Sequence, residues 1–547
     1  MMFRGWWSVK LLTSSAIGLL ALLIGEAAVA QVTYERLLNS ANEPENWLTY
    51  HGTYKSQHYS TLNQINRRNV ANLRLQWVFQ AESLEKFEST PLVVDGIMYV
   101  VQMPNDVVAL DAATGRKFWE YKHTLAEKVN VCCGRINRGL AMLGSRLYMG
   151  TIDGRLIALD AKSGSVVWDH KIVDPTGGYA LALAPLAVKD KIIVGAAGGE
   201  YGIRGFLDAY NAETGERVWR FNTIPGPGEP GNETWAGDSW ERGGGSIWLT
   251  GSYDPDLNLM YWGVGNPSPD WNGDVRKGDN LYTDSAIALD PDTGKLKWHF
   301  QFTPHDEWDW DAVQTPVLAD ITFQGRPRKV LLWGNRNAFF YVLDRTTGEF
   351  LLGKAFAQQN WTAGLDQKGR PAKLPEASPT REGAHVFPAV QGATNWYAPS
   401  YNPNTGLYYL SVWEFGTIYH KGDPTYTRGN RYVGSLPERA WPNILEDADP
   451  GYGAIRALDP QTGDRAWEFR MTNVTESGLL STAGDLLFSG NGEGHFFALD
   501  PANGSLLWRV NLGGVARNSP ITYRVGDRQY VSAALGHSLY TFALPEN

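Results

Sequence analysis

Short apolar runs of strand length alternate with polar turns along most of the chain, and seven of these turns share one pattern. In each, an apolar run ends at Asp or Asn, Gly follows four positions later, and a large apolar residue follows the Gly by four more. That last residue is Trp in six copies and Leu in one. The copies span residues 109–119, 158–168, 209–219, 288–298, 342–352, 457–467 and 498–508.

The repeated pattern predicts a hairpin corner at which one strand ends and the next begins. The Asp side chain caps the turn, and Gly supplies the positive φ that the turn needs. Because one short hairpin cannot bury the Trp that follows, neighbouring copies must stack on each other. The first Asp or Asn positions, 111, 160 and 211, fit the repeat of roughly 40–50 residues that is typical of a β-propeller.

An eighth, incomplete copy is predicted near the start of the chain. Residues 73–79 carry a Trp without the preceding corner, and residues 529–544 supply strands without one. We expect these two segments to share one blade, because such closure removes exposed strand edges. The prediction is an all-β, eight-bladed propeller with Trp-docking repeats, formed as a single unit by residues 31–547. The long intervals 211–290 and 344–459 leave room for loops, where function usually lies.

Composition and charge agree with this architecture and exclude one class of partner. At 547 residues the chain exceeds the limit of about 250–300 residues for one hydrophobic core, which a radial repeat avoids. The formal net charge of −9 and the lack of a Lys/Arg-rich patch argue against nucleic-acid binding.

Residues 1–30 predict a cleaved secretory signal. Arg4 and Lys10 provide the basic start, residues 11–24 the apolar run, and residues 28–30 (Ala-Val-Ala) the cleavage site. The apolar run is too short to span a membrane, and an uncleaved anchor is the alternative. We therefore expect an exported, periplasmic protein with no membrane span.

The only two cysteines, Cys132 and Cys133, are adjacent. In an exported protein an even pair suggests a disulfide. Neighbouring residues close a strained ring, and such strain is rarely kept for stability alone. Two small buried thiols remain an equal alternative when this dipeptide is considered alone.

A second candidate is the acidic segment 303–313, with Asp306, Glu307, Asp309 and Asp311. In extended backbone, Asp309 and Asp311 point to one side. Two such carboxylates repel unless a cation or a proton lies between them, and their oxygens suit Ca²⁺ or a more highly charged ion. Taken alone, a solvated acidic loop is the more common explanation.

Three glycine-rich segments complete the candidates, each weak on its own. Residues 196–205 place Glu200 among glycines, residues 263–267 place Asn266 at a tight turn, and residues 243–248 lead to Trp248. Glycine runs mark turns more often than sites, and a Trp is often core.

The order of these segments carries a more specific signal. CCGRINRG, GGEYGIRG, GGGSIW, GVGNP and HDEWDWD together resemble the pyrroloquinoline quinone (PQQ)-dependent alcohol dehydrogenases, the quinoproteins that include methanol and ethanol dehydrogenases. The resemblance covers essentially the whole chain after the signal. It implies oxidation of an alcohol to an aldehyde by hydride transfer to metal-bound PQQ.

The resemblance also implies roles for residues at matching positions. A disulfide between Cys132 and Cys133 would face one side of PQQ and Trp248 the other. Metal ligands would be Glu200, Asn266, Asp309 and Asp311, with Asp309 also the catalytic base that takes the alcohol proton. Further cofactor contacts would come from Glu88, Arg138, Gly198, Gly199, Arg336, Asn395 and Trp396.

Asp311 bears on the choice of metal. Calcium-type members resemble one another in lacking a carboxylate two positions after the base, whereas lanthanide-type members have Asp there. This chain therefore looks like the lanthanide type, with Ca²⁺ as the alternative. A trivalent ion favours one more anionic oxygen than Ca²⁺ does.

The chain also departs from the family pattern. Ala182 and Ala197 replace residues that often hydrogen-bond the cofactor, and Glu476 or Ser477 stands near a frequent Trp. The chain has no Cys-x-x-Cys-His segment, so the resemblance implies electron transfer to a separate c-type cytochrome. A homodimer is compatible with the sequence but not indicated by it.

Two other function classes fit the repeat. A non-catalytic propeller scaffold would use the same corners, but it predicts a lipobox Cys near the signal and no clustered acids. A propeller hydrolase would pair Asp309 with Asp311 or Glu307 as acid and base, which leaves the adjacent cysteines and Trp248 without a role.

Overall fold

The computed structural model describes residues 31–437, 443–444 and 451–546. The predicted signal, residues 1–30, lies outside the described residues and stays a prediction. Within them there is one α-helix, α1 (Tyr34–Leu38), capped by the Thr33 hydroxyl, which accepts a hydrogen bond from the Arg36 N–H (3.3 Å). The short 3₁₀ helices are Ser40–Asn42, Val70–Asn72, Pro175–Gly177, Gly199–Tyr201, Asn232–Thr234, Ser239–Arg242, Gly273–Val275 and Pro375–Ala377.

Strands make up the rest of the regular structure. The first half contains β1 (Tyr59–Ser60), β2 (Arg74–Gln80), β3 (Leu92–Val94), β4 (Ile97–Gln102), β5 (Asp106–Asp111), β6 (Lys117–Tyr121), β7 (Ala141–Leu143), β8 (Arg146–Gly150), β9 (Arg155–Asp160), β10 (Val166–Lys171), β11 (Leu186–Val188), β12 (Lys191–Gly195), β13 (Phe206–Asn211), β14 (Arg217–Asn222), β15 (Ser252–Asp254), β16 (Leu259–Gly263), β17 (Ser285–Leu289) and β18 (Leu296–Gln301).

The second half contains β19 (Val317–Phe323), β20 (Arg326–Gly334), β21 (Phe339–Asp344), β22 (Phe350–Ala355), β23 (Thr362–Leu365), β24 (Pro371–Lys373), β25 (Ala384–Val386), β26 (Ser400–Asn402), β27 (Leu407–Glu414), β28 (Thr417–Tyr419), β29 (Asn443–Ile444), β30 (Tyr452–Leu458), β31 (Arg465–Met471), β32 (Leu480–Thr482), β33 (Leu486–Gly490), β34 (His495–Leu499), β35 (Leu506–Asn511), β36 (Ile521–Val525), β37 (Arg528–Leu535) and β38 (Ser538–Ala543).

The described strands form the eight blades of a propeller, which confirms the predicted fold class. Each blade is an antiparallel sheet of four strands, and β1 adds a parallel fifth strand to one of them. In chain order the blades are β3–β6, β7–β10, β11–β14, β15–β18, β19–β22, β26-β27-β30-β31, β32–β35 and β2-β38-β37-β36. In seven blades the first strand is buried and the last is largely exposed, and in the eighth β36 is buried and β2 is largely exposed, so these buried strands lie nearest the axis.

The repeated corners lie between the third and fourth strands and dock one blade on the next. In the first copy, Asp111 accepts the N–H groups of Ala113 (2.9 Å) and Thr114 (3.1 Å), and Gly115 has φ +73°. A Cβ on Gly115 would lie 2.8 Å from the ring of Trp77, so this glycine is required by packing as well as by φ. The Trp77 indole N–H donates to the Ala112 carbonyl (3.3 Å).

The same docking recurs around the ring, as the sequence pattern predicted. Five of the six corner Trp residues pack on the corner glycine of the following blade and donate the indole N–H to a carbonyl beside it; the sixth, Trp508, packs on Phe496 and Phe542. The pairs are Trp119 with Gly164, Trp168 with Gly215, Trp219 with Gly294, Trp298 with Gly348 and Trp467 with Gly504. Leu352 packs near Gly463 in the copy that lacks Trp.

The last blade combines the two ends of the described chain. Strand β2 pairs antiparallel with β38, with Val78 opposite Tyr540. A second N-terminal segment, residues 47–60, joins the innermost strands of several blades. Its carbonyls accept N–H groups from the strands β15, β19, β26 and β32 in turn, through Tyr54, Lys55, Gln57 and His58 (2.9–3.1 Å).

This strand order divides the loops between two faces. The docking corners occupy one face, while the loops between blades and those between second and third strands share the other. Every predicted site residue lies in loops of that second face, which also carries the small sheets β23-β24 and β25-β28-β29. In the described part of the chain, no helix is long and apolar enough to cross a membrane.

Candidate active site

The adjacent cysteines lie in the loop between β6 and β7 and form a disulfide. Cys133 is exposed, and Cys132 packs against a small apolar cluster that includes Tyr201 and Phe206. Both sulfur atoms and a carboxylate oxygen of Glu200 lie within 4.8 Å of one another. Because the sulfur atoms are bonded to each other, this contact places the disulfide beside a carboxylate and does not itself indicate a thiolate metal site.

Glu200 lies in the 3₁₀ helix that follows β12. The backbone N–H of Tyr432, from the long segment between β28 and β29, donates to the Glu200 carbonyl (2.6 Å). Burial raises the pKa of the Glu200 side chain to about 7, and the nearby charge of Asp311 adds to this effect. The side chain therefore lies where an opposite charge would stabilise it.

Asn266 follows β16 in a turn that touches the other site loops. Its N–H donates to Asp311 Oδ1 (3.0 Å). A Cβ on the preceding Gly265 would lie 2.2 Å from that same oxygen, so only glycine fits beside Asp311. The Asn266 side-chain oxygen lies 3.5 Å from the position that a Cβ on Gly199 would occupy, next to Glu200.

The acidic segment separates its aromatic and acidic side chains, as its alternation predicts. Trp308 and Trp310 stack on each other (centroids 4.7 Å apart) and are fully buried. Asp306 accepts the backbone N–H groups of both tryptophans (3.0 and 2.9 Å). Burial nevertheless raises the pKa of Asp306 to about 6.

Asp309 and Asp311 face a single buried guanidinium. Arg336 donates to Asp311 Oδ2 (2.7 Å) and also to the Val390 carbonyl. Burial raises the pKa of Asp309 well above its ordinary value; Arg336 opposes this, and the charges of Asp270, Asp311 and Glu200 add to it. Asp309 has φ +62°, a conformation that a non-glycine residue rarely adopts.

A second guanidinium lies among aromatic rings. Arg138 donates to Glu88 (2.9 Å), and both side chains are only 4% exposed. Its guanidinium carbon lies 4.8 Å from the ring centroid of Trp248 and 5.0 Å from that of Trp396. Asn395 accepts the Trp396 N–H (2.8 Å) and donates to the Gln391 carbonyl (2.8 Å). This group is held rigidly by charge-assisted and cation–π contacts.

The structure thus brings the predicted residues into two adjoining groups. Glu200, Asn266, Asp309, Asp311 and Arg336 form one, and the disulfide touches it through Glu200. Glu88, Arg138, Trp248, Asn395 and Trp396 form the other. Gly198 and Gly199 form the turn that leads into Glu200.

Sequence reasoning did not find Asp270, which stands four residues after Asn266. Together with Glu200, Asp309 and Asp311 it forms a set that we call the carboxylate cluster. Arg336 is the cation beside Asp309 and Asp311, whereas the cation that acts on Asp270 is Arg276. A signal was present, since GNPSPD places a carboxylate on the same turn as Asn266. A lone Asp near prolines is nevertheless typical of an ordinary turn.

Comparison with known proteins identifies this arrangement. The sequence profile described as PQQ, glucose/ethanol/alcohol dehydrogenase, beta-propeller domain, matches residues 47–355 and 371–531. The chain belongs to this family. The predicted resemblance is therefore confirmed, and the enzyme class is that of a PQQ-dependent alcohol dehydrogenase.

Several PQQ dehydrogenases are similar over most of the chain. Quinoprotein alcohol dehydrogenase PedH of Pseudomonas putida is 38% identical, covering 94% of this chain and 90% of that protein. The lanthanide-dependent methanol dehydrogenase of Methylacidiphilum fumariolicum is 37% identical, covering 94% and 88%.

Solved structures agree with the sequence comparison. A europium-containing methanol dehydrogenase superposes with a TM-score of 0.87 at 35% identity, covering 93% of this chain and all of that one. The quinohemoprotein alcohol dehydrogenase of Comamonas testosteroni gives a TM-score of 0.88 at 37% identity, covering 95% of this chain and 84% of that one.

The residues present fit a PQQ dehydrogenase that holds PQQ and a metal ion. Among the described residues, the Nε atoms of Arg138 and Arg336 are buried without a hydrogen-bond partner, so each guanidinium has a donor left for an anionic ligand. The carboxylate cluster carries an excess of negative charge that a cation would compensate.

Proposed function

We propose that the protein oxidises an alcohol at this site, with Asp309 as the general base. The observation that supports this most is the adjacency of an exposed disulfide, the carboxylate cluster and two guanidiniums with unused donors. Burial and the like charges of Asp270, Asp311 and Glu200 favour the uptake of a proton by Asp309, as a general base requires. A positioned base of this kind contributes roughly 10²–10⁴-fold to rate.

PQQ would be held by the second residue group and the disulfide. The disulfide of Cys132 and Cys133 and the ring of Trp248 offer flat surfaces for the two faces of a planar ligand. The polar and charged contacts would come from Glu88, Arg138, Gly198, Gly199, Arg336, Asn395 and Trp396. When bound, PQQ supplies the hydride acceptor, and the metal supplies the Lewis acid that polarises it.

The metal would be held by Glu200, Asn266, Asp309 and Asp311. All are oxygen donors, and three carry charge, so a hard cation is favoured. We favour a lanthanide(III) ion over Ca²⁺ because Asp311 adds a carboxylate oxygen, and attraction to it grows with the charge of the ion. The similarity to a lanthanide-dependent and a europium-containing methanol dehydrogenase supports the same choice.

Two further proposals concern the location of the protein and its electron acceptor. We infer that the protein is exported to the periplasm through residues 1–30 and that a separate c-type cytochrome accepts its electrons, since its two cysteines are consumed by the disulfide. The side chains of Ala182 and Ala197 have no polar atoms, so neither side chain would hydrogen-bond the cofactor.

The test is reconstitution of the metal-free protein with PQQ and either La³⁺ or Ca²⁺, assayed with a dye acceptor across a series of alcohols. We expect activity with La³⁺, its loss in Asp311→Ala with the fold preserved, and a fall in kcat of roughly 10²–10⁴-fold in Asp309→Asn with PQQ still bound.

Two results would contradict the proposal at different levels. Equal activity with Ca²⁺ in wild type and Asp311→Ala shows that the lanthanide assignment is wrong. No uptake of PQQ by the metal-loaded protein, measured by absorbance, shows that the assignment of the site is wrong.

A further inference from the structure

We propose that Asp270 is a positioning residue of the metal site, and that it orients the side-chain amide of Asn266 so that the amide oxygen faces the ion. The inference rests on the proposed function, because it concerns how one of the proposed ligands is held. Asp270 itself would not touch substrate or cofactor.

Asp270 is the most isolated charged group of the site. It is 0% exposed, and neither carboxylate oxygen has a hydrogen-bond partner among the described residues. A buried carboxylate without partners is costly and calls for a specific explanation. Glu200 and Asp311 act on it with like charge, and the Arg276 guanidinium acts on it with opposite charge.

Asn266 is the donor placed to serve that carboxylate. Its Nδ2 donates to the Pro267 carbonyl (3.3 Å), which uses one of the two N–H bonds of the amide. Burial raises the pKa of the Asp270 carboxyl well above its ordinary value, and the Asn266 side chain lies close enough to oppose this by hydrogen bonding. The second N–H is therefore free to turn toward Asp270, while Oδ1 lies on the Gly199 side, next to Glu200.

An amide needs such a partner, because its two ends differ in charge and are almost equal in shape. If the side chain flipped, an N–H₂ group would face the cation and repel it. A carboxylate is acceptor-only when ionised, so Asp270 accepts the N–H₂ end and disfavours the flipped state.

The backbone around Asp270 is fixed strongly enough to do this. The buried Arg276 guanidinium donates to the carbonyls of Pro269 (2.9 and 3.1 Å) and Asp270 (3.4 Å). The Ser268 hydroxyl donates to the Gly199 carbonyl. The turn from Asn266 to Asp270 is thus tied to the loop that carries Glu200.

The test measures metal affinity directly, in the PQQ-loaded full chain, by titration with Tb³⁺ and detection of its luminescence. The variants are Asp270→Asn, Asn266→Ala and the double variant, each checked for its fold by circular dichroism. Loss of an outer partner of a metal ligand typically costs 10–100-fold in affinity, and we expect a loss of that order in Asp270→Asn.

The double variant separates positioning from a general effect of charge. If Asp270 acts through Asn266, Asp270→Asn causes little further loss in the Asn266→Ala background. The matched control is Asp284→Asn. Its carboxylate is equally buried and also lacks hydrogen-bond partners among the described residues, and Asp284 contacts the Asn266 turn only through its backbone N–H, which donates to the Gly265 carbonyl (3.1 Å). Its effect should be smaller and should add to that of Asn266→Ala.

Unchanged Tb³⁺ affinity in Asp270→Asn, or effects of Asp270→Asn and Asn266→Ala that simply add, would overturn the inference. Asp311→Asn distinguishes this failure from that of the proposed function. If Asp311→Asn also binds Tb³⁺ like the wild type, the metal site itself is wrongly assigned; if it loses affinity, only the role of Asp270 is rejected.

Discussion

At the scale of single residues, buried charges on the loop face hold the site loops in place. Beyond Arg138 with Glu88 and Arg336 with Asp311, a third buried pair lies at the base of the disulfide loop. His123 Nε2 is 3.0 and 3.1 Å from the two oxygens of Asp153, and the Ala126 N–H donates to Asp153 (3.2 Å). This pair connects the second blade with the loop that leads to Cys132.

The Asp153 pair predicts a dependence of stability on pH. Burial alone would raise the pKa of Asp153, but hydrogen bonds from His123 and Thr151 outweigh it and lower the pKa from 3.8 to about 2. A lowered folded-state pKa stabilises the protein above the unfolded value, and this contribution is lost as pH falls from about 4 toward 2.

We therefore expect Asp153→Asn to lower the melting temperature at about pH 5–7 by an amount corresponding to about 1.5–3 kcal/mol. The difference from wild type should shrink below about pH 4. Calorimetry across this pH range is the measurement. Asp169→Asn is the control, since its pair with Arg155 is about one-third exposed on both sides and should contribute little. A difference that persists unchanged at the acid end contradicts the argument.

At the scale of elements, the Trp-docking corner is the unit that assembles blades. Trp219 on β14 is 9% exposed, packs 2.5 Å from where a Cβ on Gly294 would be, and donates to the Pro291 carbonyl (2.9 Å). The corner therefore combines burial of a large ring, one hydrogen bond and a glycine with positive φ. At the corner with Leu352, the apolar contact and the positive-φ glycine, Gly463 (φ +70°), remain without an indole hydrogen bond.

Replacing the ring should weaken the contact between two blades. We expect Trp219→Ala to destabilise the protein by about 3–5 kcal/mol and Trp219→Leu by less, because Leu keeps part of the apolar contact. The urea midpoint of unfolding is the measurement. Val218→Ala on the same strand is the control, since Val218 is 47% exposed; an equal shift in that variant would mean that the strand, and not the docking, is responsible.

At the scale of the whole molecule, closure of the ring depends on one N-terminal strand. Strand β2 covers the edge of β38, and its Trp77 docks on the corner of the first blade. Without β2 the edge of β38 would be exposed and the last blade would lose the Trp77 contact with the first, which favours intermolecular pairing.

Deletion of residues 31–80 removes β2 together with the segment 47–60 that bonds the innermost strands, and should therefore lower the melting temperature and produce larger species in light scattering. Deletion of residues 31–45 is the matched control, because it removes α1 and keeps both β2 and the segment 47–60. If the longer deletion melts like wild type and elutes at the size of the shorter one, closure by β2 does not stabilise the ring.

The fold followed largely from local signals. The spacing of Asp, Gly and Trp specifies a turn, a strand and a ring that needs a partner, so repetition of the pattern around the chain predicts stacked blades. Alternation also predicts the separation of Trp308 and Trp310 from Asp309 and Asp311, although Asp309 reaches its position with φ +62° and not in extended backbone. Resemblance of ordered motifs then supplied the family.

The sequence by itself determined the repeat, the fold class, the family and most of the residues that meet at the site. Only the tertiary structure decided how they meet: the disulfide against Glu200, Arg336 against Asp311, and Asp270 buried beside Asn266. The reason is physical. A turn or an alternation is set by neighbours in the chain, whereas burial, the direction of a pKa shift and an unused hydrogen-bond donor arise when loops from different blades converge.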